Sequence, residues 1–327
     1  MTSYPAIAVL GAGAWGTALA SSVAASGRDV LLWGRDEAVL AEIATKRTNA
    51  RYLGSIRLSE QLATTHDLEE ACARSVILSV VPAQALNGLL PMISQALAEE
   101  AILVLCAKGI DRDTGEFLHT LAARHVGAAR TAALSGPSFA HDVAANLPTA
   151  VSLAAHTIET ARNLATTLST PTFRIYASDD IIGVEAGGAL KNVMALAVGI
   201  ARGLKLGASA EAALIARGFA EMQRLALVLG ARRETLSGLS GLGDLVLTCS
   251  SPQSRNFAYG MTLAEGADLT NRPLAEGVAT ARMAVELAQK NGVEVPILNA
   301  VSLVLEGDLG PQSAVADLLA RPLRIED

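Results

Sequence analysis

The spacing of hydrophobic and polar positions changes character about halfway along the chain. Short runs of aliphatic and β-branched residues recur at 6–10, 30–33, 76–80, 102–105, 131–134 and 150–153, with one more at 173–176. Between most of them apolar residues return every three or four positions, which predicts helices at 17–26, 36–45, 86–98, 117–125 and 158–168. Strands apolar on both faces and alternating with helices are the pattern of a doubly wound parallel sheet. From residue 182 onward strand-like runs almost disappear. Helices are expected at 183–202, 208–229, 275–290 and 297–306, broken by a glycine- and serine-rich segment at 237–254. The expected fold class is α/β, a doubly wound sheet followed by an all-α C-terminal domain, with the boundary near 178–182. No internal repeat, low-complexity tract or long linker separates the halves, so they should pack together and form a cleft, a common setting for a ligand site.

Composition supports this division and removes several functions. A chain of 327 residues is too long for one ordinary core and needs no metal or disulfide staple. Hydrophobic residues reach 51% with aromatics at 3%, so the apolar content is mostly Ala, Val, Leu and Ile, suited to helices packed on a buried sheet. A net charge of −6 and a pI near 5.5, with no basic stripe, exclude a nucleic-acid partner or an anionic membrane surface. Cys72, Cys106 and Cys249 form no CxxC pair and the five histidines have no ligand spacing, so no metal site is expected. The apolar run 6–25 is interrupted by Gly11, Gly13, Trp15 and Gly16, and no Lys or Arg precedes Arg28, unlike a signal peptide. No span reaches the roughly 18 uninterrupted apolar residues of a membrane helix, so no membrane insertion is expected and the location should be cytoplasmic.

Two segments stand out chemically. Lys191 is the one charge in 186–201, a run of small and aliphatic residues. Burial strips its hydration and lowers its pKa, which makes a general base out of a side chain ordinarily protonated at neutral pH. The second segment, Gly11-Ala12-Gly13-Ala14-Trp15-Gly16, follows a predicted strand and opens a predicted helix. There Gly11 permits the tight turn, Gly13 lets the backbone approach a pyrophosphate, and Gly16 lets helix and strand pack closely. The N-terminal half, 1–180, is therefore expected to be a Rossmann-like dinucleotide-binding domain, and 181–327 a helical substrate-binding domain.

The ends of the later strands suggest what else lines the crevice. Arg35, after the second strand, suits the 2′-phosphate of NADP; Asp36 could instead grip the ribose of NAD or cap the next helix. Lys108 and Ser135-Gly136-Pro137-Ser138 follow the next strands at their carboxyl ends and face the crevice, although a structural turn also explains Gly136 and Pro137. In the helical half, Asp244 closes a glycine-rich loop. Gln253-Ser254-Arg255-Asn256 groups donors suited to phosphate oxygens, especially if a helix begins there.

Taken together, these segments resemble the bacterial type of NAD(P)-dependent glycerol-3-phosphate dehydrogenase. The resemblance runs from Ala6 to about Leu319 and is carried by GAGAWGTALA, LWGRD, AKGID, SGPSFAHDVA, GVEAGGALKNVMALAVGI, GLGDLVLTCSSPQSRN and AEG. It implies reversible hydride exchange between dihydroxyacetone phosphate and sn-glycerol 3-phosphate, feeding phospholipid synthesis, with Lys191 as the proton-transfer residue. It further implies that Lys108, Gly136, Ser138, Lys191, Asp244, Ser254, Arg255 and Asn256 surround a small phosphorylated substrate. NADPH or NADH, with NADPH preferred on account of Arg35, would contact Ala14, Trp15, Arg35, Tyr52, Lys108, Ala140, Arg255, Leu274 and Glu276. Ala14 stands where the family often has serine, and the segment before Ala275 is shortened. A homodimer follows from the resemblance alone. Two other functions remain compatible with the cofactor half: a reductase of a small keto acid built from the same two kinds of domain, and a nucleotide sensor, which would have little use for Lys191.

Overall fold

The structure is a computed structural model and describes residues 5–270 and 274–322. Its sheet contains β1 (Ile7–Leu10), β2 (Val30–Trp33), β3 (Ala63–Thr65), β4 (Val76–Ser79), β5 (Ile102–Leu105), β6 (Thr131–Ser135), β7 (Thr149–Ala155) and β8 (Phe173–Ser178). The strands lie in the order β3-β2-β1-β4-β5-β6-β7-β8. Because side chains alternate across a strand, Ile7 and Val9 enter one core with Leu19 and Val23 of helix Ala14–Ala24. Ala8 and Leu10 enter the opposite core with Leu86, Leu90 and Ile93 of helix Ala83–Ala96. β1 pairs with β2 on one side and β4 on the other. The winding reverses there, and in a doubly wound sheet such a switch point, at the carboxyl ends of the strands, is where a ligand crevice forms.

The sheet departs from the expected all-parallel arrangement at one place: β6 and β7 are antiparallel. The connection between Ser135 and Thr149 holds a single helix of five residues, Ala140–Ala144, too short to carry the chain back along the sheet as a parallel crossover requires. β3, three partly exposed residues at the sheet edge, has no apolar run to announce it and was not expected.

After β8 the chain becomes helical. Asp180 accepts the Gly183 N–H at 2.8 Å and so caps helix Ile181–Gly203, while its other oxygen accepts the Arg232 N–H at 2.8 Å. This 23-residue helix is long and apolar enough to cross a membrane, with a mean hydropathy of 1.5, yet 89% of that stretch is buried inside the protein. Helices Ala208–Val228, Asp244–Ser250, Arg255–Ala264, Glu276–Lys290 and Pro296–Glu306 surround it. A Cβ on Gly199 would lie 2.2 Å from the Phe257 carbonyl oxygen, so this helix and Arg255–Ala264 meet backbone to backbone. The central helix also rests on β6 and β7, and a Cβ on Gly188 would lie 2.5 Å from Ser135 Oγ. The turn that precedes Lys191 is thereby set against the carboxyl end of β6.

Candidate active site

Three segments distant in sequence converge where the central helix meets the sheet. Lys108, beyond β5, donates from Nζ to Asp244 Oδ2 at 2.6 Å and to the Gly136 carbonyl at 3.2 Å. Lys191 Nζ donates to Thr248 Oγ1 at 2.6 Å and lies 3.1 Å from Asp244 Oδ1. The Thr248 hydroxyl donates to that same carboxylate oxygen at 3.2 Å. Asp244 and Thr248 are four residues apart on helix Asp244–Ser250 and therefore share a face. Each oxygen of Asp244 thus receives one ammonium, and the carboxylate itself is only 1% exposed.

The electrostatics follow from this geometry. Burial pushes Lys191 down to about 8, and the Lys108 ammonium adds to the lowering while Asp244 opposes it. Burial by itself would raise Asp244, but the ammoniums of Lys108 and Lys191 hold its carboxyl below the usual range. A fixed carboxylate between two lysines, one of them able to lose its proton near neutrality, is suited to moving a proton at an oxygen atom.

The adjoining donors come from the start of helix Arg255–Ala264. Ser254 is its N-cap, with Oγ accepting the Phe257 N–H at 3.3 Å, and Arg255 is its exposed first residue. Asn256 is fully engaged: Oδ1 accepts the Gly277 N–H at 2.9 Å and Nδ2 donates to Asn192 Oδ1 at 2.9 Å. It ties this helix both to the neighbour of Lys191 and to the start of helix Glu276–Lys290. The Glu276 carboxyl is raised by burial, with Arg255 opposing, and accepts the Ala83 N–H at 3.5 Å across from the sheet half. The Ser138 hydroxyl donates to the Gly136 carbonyl at 3.1 Å, which brackets the oxygen that Lys108 also contacts.

The crevice beyond β1 fits a dinucleotide. Gly11 has φ +119°, and a Cβ on Gly16 would lie 1.9 Å from the Gly11 carbonyl oxygen, so neither position accepts a side chain. Gly13 faces open space, with nothing within 4 Å of a Cβ there. It caps helix Ala14–Ala24 without a side-chain acceptor, leaving the N-terminal N–H groups for an anion. At the end of β2, Asp36 Oδ1 accepts from the N–H groups of Ala38 at 3.1 Å and Val39 at 3.2 Å, which decides for the helix-cap alternative. Among the described residues no group of three or more His, Cys, Asp and Glu could hold a metal ion. Burial pushes the thiols of Cys72, Cys106 and Cys249 to about 11, 12 and 12, leaving no ready thiolate.

Comparison with known proteins agrees with this arrangement. Residues 6–161 match the family profile described as NAD-dependent glycerol-3-phosphate dehydrogenase N-terminus, and residues 180–316 the corresponding C-terminus. The chain belongs to the NAD-dependent glycerol-3-phosphate dehydrogenase family. It is 50% identical to the glycerol-3-phosphate dehydrogenase [NAD(P)+] of Brucella canis, over 98% of this chain and 99% of that protein. A Chelativorans sp. protein of the same name is 49% identical over the whole of both chains. The crystal structure of glycerol-3-phosphate dehydrogenase from Coxiella burnetii is similar at a TM-score of 0.92 and 41% identity, covering 97% of this chain and 99% of that one.

In this glycerol-3-phosphate dehydrogenase family member, the residues singled out in the sequence fall into two groups. Lys108, Gly136, Lys191 and Asp244 are joined by direct contacts, and Ser138 joins them through Gly136. Ser254, Arg255, Asn256 and Glu276 lie beside them, on the starts of two neighbouring helices. Gly11, Gly13, Ala14, Trp15 and Gly16 form the turn and helix start after β1, Arg35 follows β2 and Tyr52 lies in the short helix Ala50–Leu53; Trp15 packs on Phe173 with ring centroids 6.2 Å apart. Ala140 begins the short helix that packs on Ala14–Ala24, and Leu274 is 54% exposed at the edge of the described residues. Sequence reasoning passed over Thr248, Asn192 and Asn49. The four-residue step from Asp244 was the available signal for Thr248; Asn192 and Asn49 had none.

Proposed function

We propose that this chain reversibly reduces dihydroxyacetone phosphate to sn-glycerol 3-phosphate with NADPH or NADH, and that Lys191 is its proton donor and acceptor. The observation that carries this reading is the buried Lys191–Thr248–Asp244–Lys108 network beside the Arg255 helix start. Residues 1–180 would hold the cofactor and 181–327 most of the substrate. Gly11, Gly13 and Gly16 shape the pyrophosphate loop, with Ala14, Trp15, Arg35, Tyr52, Ala140, Leu274 and Glu276 along the remainder of the cofactor. Ser254 and Arg255 would face the phosphate, where a guanidinium and helix N–H groups match its oxygens, and Asn256 would hold in place the helix start that presents them.

The nicotinamide, when bound, supplies or accepts the hydride. In the reducing direction the Lys191 ammonium gives a proton to the ketone oxygen, and in oxidation the neutral amine takes it from the hydroxyl. Thr248 and Asp244 hold Nζ in one orientation. Lys108, fixed on Asp244 and the Gly136 carbonyl, stabilises negative charge that develops on the oxygen. Gly136 and Ser138 keep that carbonyl in place. The product would supply glycerophospholipid synthesis in the cytoplasm, and the working form is a homodimer. The direct test is loss of NADPH absorbance on adding dihydroxyacetone phosphate. Turnover of a small keto acid in its place would favour a ketopantoate-type reductase, and tight NADPH binding without any turnover would favour a sensor.

A further inference from the structure

The segment between helix Glu37–Lys46 and residue 54, which carries Tyr52, touches both the glycine loop and the end of β2. Asn49 is fully buried and turns inward, where Nδ2 donates to the Ala12 carbonyl at 3.1 Å and to Thr17 Oγ1 at 2.9 Å. Glu42 Oε1 accepts from Thr48 Oγ1 at 2.8 Å and from the Ala50 N–H at 2.9 Å, fastening the other side. The segment is thus anchored to the loop that shapes the pyrophosphate site. Two residues beyond Asn49, Arg51 extends outward to Asp36, with Nη1 3.3 Å from Oδ2. Its guanidinium also lies over the Tyr52 ring, 5.2 Å from the centroid.

We propose that Arg51 is a specificity-determining residue which, with Arg35, recognises the 2′-phosphate of NADP(H). The inference rests on the reading above that the end of β2 receives the adenosine ribose. An acid at that point normally accepts the ribose hydroxyls of NAD. Here Asp36 is committed twice, through Oδ1 to the cap of helix Glu37–Lys46 and through Oδ2 to Arg51. Arg35 and Arg51 place two guanidiniums beside that engaged carboxylate, the donors that a phosphate dianion needs. The Arg51 side chain is 66% exposed and that of Asp36 49%, so the pair is weak and a guanidinium with five donors can turn to a phosphate at little cost. The buried anchor at Asn49 fixes the distance between this cation and the pyrophosphate loop, which a free surface arginine would not have.

The test is fluorescence titration of Arg51→Ala, Arg51→Lys and Arg35→Ala with NADPH and with NADH, with thermal melts to confirm folding. Loss of a charge-assisted contact predicts that Arg51→Ala weakens NADPH about tenfold and NADH by less than about twofold. Arg51→Lys should recover part of the NADPH affinity, and the salt dependence of NADPH binding should be shallower in Arg51→Ala than in the wild type. Equal weakening of both cofactors would overturn the inference. So would unchanged NADPH affinity in Arg51→Ala when Arg35→Ala loses it, which leaves the ribose site in place. If neither substitution alters the NADPH to NADH ratio, the placement of the ribose falls together with the inference.

Discussion

Thr248→Val removes a single hydroxyl from the centre of the site while keeping a branched side chain of nearly the same shape. That hydroxyl accepts from Lys191 Nζ at 2.6 Å and donates to Asp244 Oδ1 at 3.2 Å. Its oxygen stabilises the ammonium more than the amine, so its loss lowers the Lys191 pKa further. A hydrogen bond to a charged group contributes about 1.5–3 kcal/mol, and about 1.4 kcal/mol corresponds to one pH unit. Lys191 should therefore fall from about 8 by roughly one to two pH units. Oxidation of glycerol 3-phosphate needs the neutral amine, so kcat/KM should rise with pH to a plateau through the Lys191 pKa. In Thr248→Val this acid limb should shift downward by the same amount. Reduction needs the ammonium, and its alkaline decline should shift downward in parallel, leaving reduction several-fold slower near neutral pH. The assay is kcat/KM in both directions from about pH 6 to pH 10, which reports the free enzyme. Limbs that stay in place despite the lost hydroxyl would refute the argument that Thr248 sets the protonation of Lys191.

Arg255→Ala should raise the KM for dihydroxyacetone phosphate about a hundredfold, since it removes a guanidinium from a helix N-terminus, while turnover of unphosphorylated dihydroxyacetone stays within about twofold. Equal losses with both substrates would show that Arg255 does not read the phosphate. Glu221 is 2% exposed and accepts the N–H groups of Ile297 and Leu298, capping helix Pro296–Glu306, and burial raises it to about 7. A carboxyl with a raised folded-state pKa contributes stability that is full below about pH 4.5 and lost as pH rises through about 7. Denaturant melts at about pH 5 and pH 8 should therefore show a wild-type loss on the order of 3 kcal/mol that Glu221→Gln does not share. Parallel behaviour of the two proteins would contradict this.

Local signals in the chain carried much of this architecture. Glycine spacing located the tight turn from β1 into helix Ala14–Ala24 because Gly11 and Gly16 meet steric demands set within a few residues. Lys191 was visible because a lone charge in an apolar helix is a local anomaly. The antiparallel β7 was not visible, since strand direction depends on how a 13-residue connection travels and apolar runs carry no direction. Lys108 and Asp244 could each be named, but their contact across 136 residues depends on the close seating of the central helix on β6. Asn49 reads as an ordinary polar residue before a short helix. Only the fold turns its amide inward to the Ala12 carbonyl.

The central claim is that Lys191 transfers the proton. The most direct measurement is turnover of Lys191→Ala with NADPH and dihydroxyacetone phosphate, alongside NADPH binding and with added ethylamine. Loss of general acid–base catalysis predicts turnover reduced by about 10²–10⁴-fold, NADPH affinity within about twofold of wild type, and partial recovery by the amine. Near-wild-type turnover in Lys191→Ala would contradict the account.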